Sequence, residues 1–191
     1  VFASSRMRNA LGAGAGRGDG GVDERREALH LPFVSIDNVM AAKNATNHLI
    51  SMGRQRIALL NGPLNYTYAH NRQKGYTDAL KDAGLEINPD YIISLPDINP
   101  ELAISAGLQL LNLPVPPDAI FAASDAFCPP ILRACHIAGK SVPKDIAIVG
   151  FDNLSSIRYL VPSITSVNQP KIQLGYLAAD LLFERIADPQ V

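Results

Sequence analysis

What the chain lacks narrows its class before any motif is read. It has no tryptophan and only two cysteines, Cys128 and Cys135. Two thiols cannot staple a disulfide-dense secreted scaffold, and neither has companions at zinc-site spacing, so both read as reduced core thiols. The histidines at 30, 48, 70 and 136 also lack metal-ligand spacing. No apolar run is long enough to span a bilayer, and no secretory h-region opens the chain. Together these features point to a cytoplasmic protein without a membrane partner. Charge of either sign is sparse: 17 Lys and Arg against 18 Asp and Glu, a net charge of −1. That balance leaves no electrostatic footprint for nucleic acid. There is no G-x-S-x-G elbow, no phosphate loop and no local acid–base constellation, so enzymatic turnover is not expected. No cofactor is expected either. G-x-G-x-x-G occurs at Gly16, Gly18 and Gly21, but no buried strand precedes it, as dinucleotide binding would require.

What is present suffices for one substantial core, or one and a fraction: 47% of 191 residues are hydrophobic. Residues 1–30 contain L-G-A-G-A-G-R-G-D-G-G (11–21) and form an atypical Gly/Ala/Arg-rich segment without apolar periodicity that reads as flexible. From residue 31 the alternation is regular. Strand-like segments at 31–36, 56–60, 91–95, 119–123 and 146–151 are separated by helical patterns at 39–52, 69–83 and 100–111, and by a helix reaching about 138. Pro129 and Pro130 place residues 124–128 in a turn, with that last helix starting near Pro129. Strands separated by helices imply parallel βαβ units and a doubly wound α/β sheet. An extended run at 164–167 follows, then Leu174, Leu177, Ala178, Leu181, Leu182 and Ile186 at helical spacing. This stripe is expected to cover residues 1–30, the main sheet or another chain.

Ligands of open parallel sheets bind at the carboxyl ends of the strands. The loops there contribute Asp37; Asn65, Tyr66, Tyr68 and Arg72; Asp97 and Ile98; Ser124 and Asp125; and Asp152, which follows the apolar run I-A-I-V-G-F. Aromatic rings with an arginine and acids suit a small polyhydroxylated molecule or a nucleoside. Each residue also has a plainer account. Asp152 or Asn153 can cap a turn, Tyr66 and Tyr68 can be loop packing, and Asp37 and Asp97 suit caps better than ligand contacts. His70 reads as a surface residue or as one just behind the ligand contacts.

The run I-A-I-V-G-F-D-N at 146–153 resembles the signature strand of the lactose-repressor (LacI/GalR) family of transcriptional regulators, in its effector-binding core. The likeness extends through L-P-F-V-S-I-D-N (31–38), H-L-I-S-M-G-R-Q-R-I-A (48–58), N-G-P-L (61–64), R-Q-K-G-Y (72–76), F-A-A-S-D (121–125), V-P-K-D (142–145) and S-I-T-S-V-N-Q-P (163–170). The wording is nearest to the purine- and cytidine-responsive members. The resemblance implies a periplasmic-binding-protein-like fold. Residues 31–167 would be the effector-binding α/β subdomain, and 168–191 a crossover and helix belonging to the other subdomain. It places effector contacts at Tyr66, Tyr68, Arg72, Ile98 and Asp152, with Ser124 beside them. Tyr66 stands where the purine-responsive member has an arginine, which argues against simple transfer of purine specificity. Residues 126–130 depart from the family near its dimer contact.

The implied function is sensing of a small nucleoside or sugar that modulates operator binding. The family's DNA-binding headpiece would precede residue 31, so this stretch alone is expected not to shift operator DNA; homodimerisation is implied for the full-length form. The alternatives are a secreted sugar-binding protein feeding a transporter, and an α/β enzyme acting on a sugar or nucleotide.

Overall fold

The computed structural model describes residues 33–187. The atypical opening segment at 1–30 lies outside them. The elements follow in the order α1 (Asn38–Ser51), β1 (Ile57–Asn61), α2 (Thr67–Asp82), β2 (Ile92–Ser94), α3 (Pro100–Leu111), β3 (Ala119–Ala122), α4 (Cys128–Ile137), β4 (Ala147–Asp152), β5 (Thr165–Asn168) and α5 (Lys171–Ala187). All strand pairings are parallel, in the order β2-β1-β3-β4-β5. The doubly wound α/β sheet expected from the sequence is therefore present.

Period-two alternation sorts the strand side chains between two cores. Ile57 and Leu59 of β1, Phe121 of β3, and Val149 and Phe151 of β4 pack with Ala42, Ala45 and Leu49 of α1 and Tyr76 and Leu80 of α2. Ala58, Leu60, Ile120 and Ile148 point the other way, to Ala103 and Leu110 of α3 and Ile131 and Ala134 of α4. Both faces of the sheet are covered, which is why its central strands read as unbroken apolar runs.

Helix ends follow local chemistry. Asp37 Oδ1 accepts from the Met40 amide at 2.8 Å and starts α1, the cap role expected for it. Asn99 Oδ1 accepts from the Leu102 amide at 3.0 Å, with Pro100 in the first turn of α3. Gly53 lies just past α1 with φ 82°, a left-handed conformation that ends the helix with no Cβ penalty. Asp97 accepts from the Ile98 amide at 2.7 Å, a turn role. Residues Asp125–Phe127 form a 3-10 turn ahead of α4, matching the turn that the two prolines demand.

One expectation needs correction. Of the stretch 31–36, the described residues 33–36 form no strand; residues 33–37 lead into α1 without joining the sheet. The fifth strand is instead Thr165–Asn168, the extended run, which pairs with β4 from Val149↔Thr165 to Asp152↔Asn168. Of the three covers expected for the apolar stripe of α5, the main sheet supplies little. Leu174 is buried, but Leu177, Leu182 and Ile186 are exposed, the last at 68%.

Candidate functional site

The carboxyl edge of the sheet is built around a switch in strand order. The chain passes from β1 outward to β2, then returns to place β3 on the other side of β1. Loops leaving β1 and β3 therefore diverge and open a crevice between them. Asn61, fully buried at the end of β1, fixes the first of these loops. Its Nδ2 donates to the Ala69 carbonyl at 2.9 Å and its Oδ1 accepts from the Gly62 amide at 2.9 Å.

Arg72 crosses that crevice. It leaves α2 with 3% of its surface exposed, and a buried guanidinium must find acceptors. Its Nε donates to Asn38 Oδ1 at 2.9 Å and its Nη1 to the Ala123 carbonyl at 2.6 Å, beyond the end of β3. The guanidinium carbon lies 3.7 Å from the Phe151 ring centre and 4.7 Å from that of Tyr68, two cation–π contacts in a poorly hydrated setting. Nη1 is also 3.7 Å from Asp152 Oδ1.

Asp152 ends β4 with its side chain 18% exposed. Gln169 Nε2 donates to its Oδ1 at 2.7 Å and the Ser124 hydroxyl to its Oδ2 at 3.0 Å. An ionised carboxylate offers about four acceptor sites, so a partly exposed one held in this way can also take ligand hydroxyls. Its backbone has φ 109°, and the following Asn153 has φ 48°. Such conformations cost a non-glycine residue about 1–3 kcal/mol and cluster at functional sites.

The tyrosines meet the same rim. Tyr66 and Tyr68 stack with ring centres 5.6 Å apart and planes 18° from parallel. A Cβ added at Gly62 would lie 3.0 Å from the Tyr68 hydroxyl and 3.6 Å from Ile98 Cδ1. Tyr68 and Ile98 therefore gather over that glycine, and Ile98 is 42% exposed. Arg72, Asp152, Ser124, Tyr66, Tyr68 and Ile98 form one continuous edge. His70 and Asp37 are exposed, and Asp37 is occupied as a cap.

Sequence reasoning missed Asn38, Asn61, Gln169 and Ser166. It placed Asp125 on the edge without a role. Asp125 is 1% exposed. Desolvation by burial pushes its carboxyl up to about 6, despite hydrogen bonds from the Leu154 amide and Ser166 that pull it down. The Cys128 thiol beside it is raised by burial and neighbouring acids, the behaviour of an inert core cysteine. Among the described residues no group of His, Cys, Asp or Glu could hold a metal ion, and no helix is long and apolar enough to cross a membrane.

The fold is a doubly wound α/β unit, and the comparisons place it among periplasmic-binding-protein-like domains. The periplasmic binding protein-like domain family matches residues 46–191. The HTH-type transcriptional repressor CytR of Escherichia coli (strain K12) is 37% identical over 163 residues, covering 85% of this chain and 48% of that protein. The ribose operon repressor of the same strain is 37% identical over 157 residues, covering 82% and 47%. The solved complex of the transcriptional regulator CelR with cellobiose superposes with a TM-score of 0.79 at 33% identity, covering 93% of this chain and 50% of that one. The chain belongs to the lactose-repressor (LacI/GalR) family and corresponds to part of its effector-binding core. It spans about half the length of the curated relatives it matches.

Proposed function

We propose that this chain is the effector-sensing part of a cytoplasmic transcriptional regulator. It would bind a small sugar or nucleoside at the carboxyl edge of the sheet, without turnover, and occupancy would alter operator binding by the regulator's DNA-binding headpiece. The observation that carries this reading is the Arg72–Asp152 pair at the strand-order switch, 3.7 Å apart and flanked by stacked tyrosines, in a chain of this family. Asp152 would accept ligand hydroxyls, helped by Ser124. Tyr66, Tyr68 and Ile98 would cover the apolar face of the ring. Arg72 would anchor the floor, its guanidinium 3.7 Å from the Asp152 carboxylate and held in place by Asn38 and Ala123. Residues 31–167 would act as one subdomain, with 168–191 belonging to the other half of the core. In the full-length regulator, a homodimer, ligand would favour one arrangement of the two subdomains over another, as coupling to DNA requires.

The relatives support this choice over a transporter's binding protein or an enzyme, since those named are transcriptional repressors and a regulator solved with cellobiose. The test is a thermal-shift screen of D-ribose, cellobiose, cytidine and purine bases. A ligand specific for the folded state at 100 times its Kd stabilises by about 2.7 kcal/mol. Loss of the shift in Asp152→Ala supports the site. No shift with any compound, or product formation from any of them, overturns the reading.

A further inference from the structure

We propose that Asp125 is a positioning residue for the rim: its buried carboxylate clamps the left-handed turn at Asp152–Asn153 and so fixes where the Asp152 carboxylate points. This rests on the reading of Asp152 as a ligand contact.

Among the described residues, Asp152 and Asn153 are the two non-glycine residues with positive φ, and they are consecutive. Strain of that kind persists only where the surroundings over-determine it. Asp125 supplies the determination from both sides of the turn. Its Oδ2 accepts from the Leu154 amide at 2.7 Å, and its Oδ1 from the Ser166 hydroxyl at 2.7 Å. Ser166 Oγ in turn accepts from the Asn153 amide at 3.0 Å. Upstream, a Cβ at Gly150 would overlap Asp125 Oδ1, so glycine there admits the carboxylate against β4. The acid thus holds residue 154 directly and residue 153 through Ser166, and packs against residue 150. Its neighbour Ser124 holds the Asp152 side chain itself, at 3.0 Å. Adjacent residues on β3's loop therefore fix the backbone and the carboxylate of the same aspartate.

The charges acting on Asp125 are Asp152 from β4 and Lys171 from α5, with opposite signs; Cys128 from α4 lies 4.0 Å away. Burial raises the acid's proton affinity, so ionising it opposes folding. An acid kept at that cost is explained by the turn it shapes. Asparagine has a single acceptor oxygen and no charge, so in Asp125→Asn the Leu154 amide and the Ser166 hydroxyl can no longer both donate to a carboxylate.

The test separates turn geometry from stability and from ligand binding. In the wild-type chain, NMR is expected to show a through-hydrogen-bond coupling from the Leu154 amide nitrogen to the Asp125 carboxyl carbon. Asp125→Asn is expected to melt no lower than wild type at pH 7, yet to lose at least tenfold of the exchange protection at Asn153 and Leu154. Affinity for whichever of D-ribose, cellobiose and cytidine the wild type binds should fall about tenfold. Ser166→Ala should do the same more weakly. A merely structural acid would move melting and affinity together. Absence of the coupling, or a folded Asp125→Asn and Ser166→Ala that keep both protection and affinity, overturns the inference. If no probe binds wild type, the sensing reading fails while the protection measurements still decide the clamp.

Discussion

Arg72 and Asp152 are 80 positions apart in sequence and 3.7 Å apart in space, and the guanidinium, not the carboxylate, is the buried partner. That asymmetry decides what their substitution does. Arg72 is fixed by the Asn38 and Ala123 acceptors and by two aromatic rings. Arg72→Lys keeps the charge, yet lysine lacks the planar fork that reaches Asn38 and Ala123 from separate nitrogens while stacking on the rings. A loss of about 2 kcal/mol in urea unfolding is expected, in the range for a buried, charge-assisted hydrogen bond left unmade. Asp152→Ala should cost less stability than Arg72→Ala and should remove ligand-induced stabilisation altogether. Equal stability losses in both would contradict the asymmetry.

Gly75 sets the spacing of the helix pair that carries Arg72. A Cβ there would overlap the Val39 carbonyl oxygen, with the Ala42 methyl and Lys43 amide each at 2.9 Å. Backbone cannot rotate out of the way as a side chain can. Gly75→Ala should therefore destabilise by about 3 kcal/mol, the upper range for overpacking. By separating α1 from α2 it should also break the Asn38–Arg72 contact. A melting temperature equal to wild type would disprove this account.

Asp125 makes stability depend on pH with a defined sign. Its folded carboxyl titrates at about 6 against an ordinary 3.8. Between those values the folded protein holds a proton that the unfolded chain has released. Stability from this group therefore rises as pH falls from above 6 toward 4, by at most about 3 kcal/mol. Asp125→Asn should flatten that part of the profile in urea titrations at stepped pH. A wild-type minus variant difference that is constant from pH 4 to 7 would exclude Asp125 as its source.

Most of the fold was legible from residue 38 onward because helix caps, terminal glycines and buried apolar runs are local signals. Phe33 to Ile36 and Thr165 to Asn168 were not. V-S-I reads as a strand whether or not a neighbour pairs with it, since periodicity reports apolarity and not partnership. Thr165–Asn168 has a single apolar residue, Val167, and reads as an extended run outside the sheet. Its Ser166 is polar because it serves Asp125 across the β4–β5 pairing. The site divides in the same way. Arg72 and Asp152 were visible as a charged pair at one edge. Asn38, Gln169 and Ser166 earn their roles only from which strands adjoin, which a linear pattern does not carry.

Ile98 offers the sharpest separation of binding from folding. It lies on the loop after β2, 42% exposed, with its Cδ1 near Gly62 beside the Tyr68 hydroxyl. A side chain this exposed contributes little core, so Ile98→Ala should change unfolding free energy by no more than about 0.5 kcal/mol. If a sugar or base buries it against Tyr68, the lost apolar contact should be about 1.4 kcal/mol, a tenfold rise in Kd. Tyr66→Ala should act more weakly, because Tyr66 reaches the rim through its stack on Tyr68, whereas Tyr68 also covers the Arg72 guanidinium. Calorimetric titration of the three alanine variants gives the order directly. The expected ranking of lost affinity is Tyr68, then Ile98, then Tyr66, and an Ile98→Ala variant that binds as wild type places the ligand away from this loop.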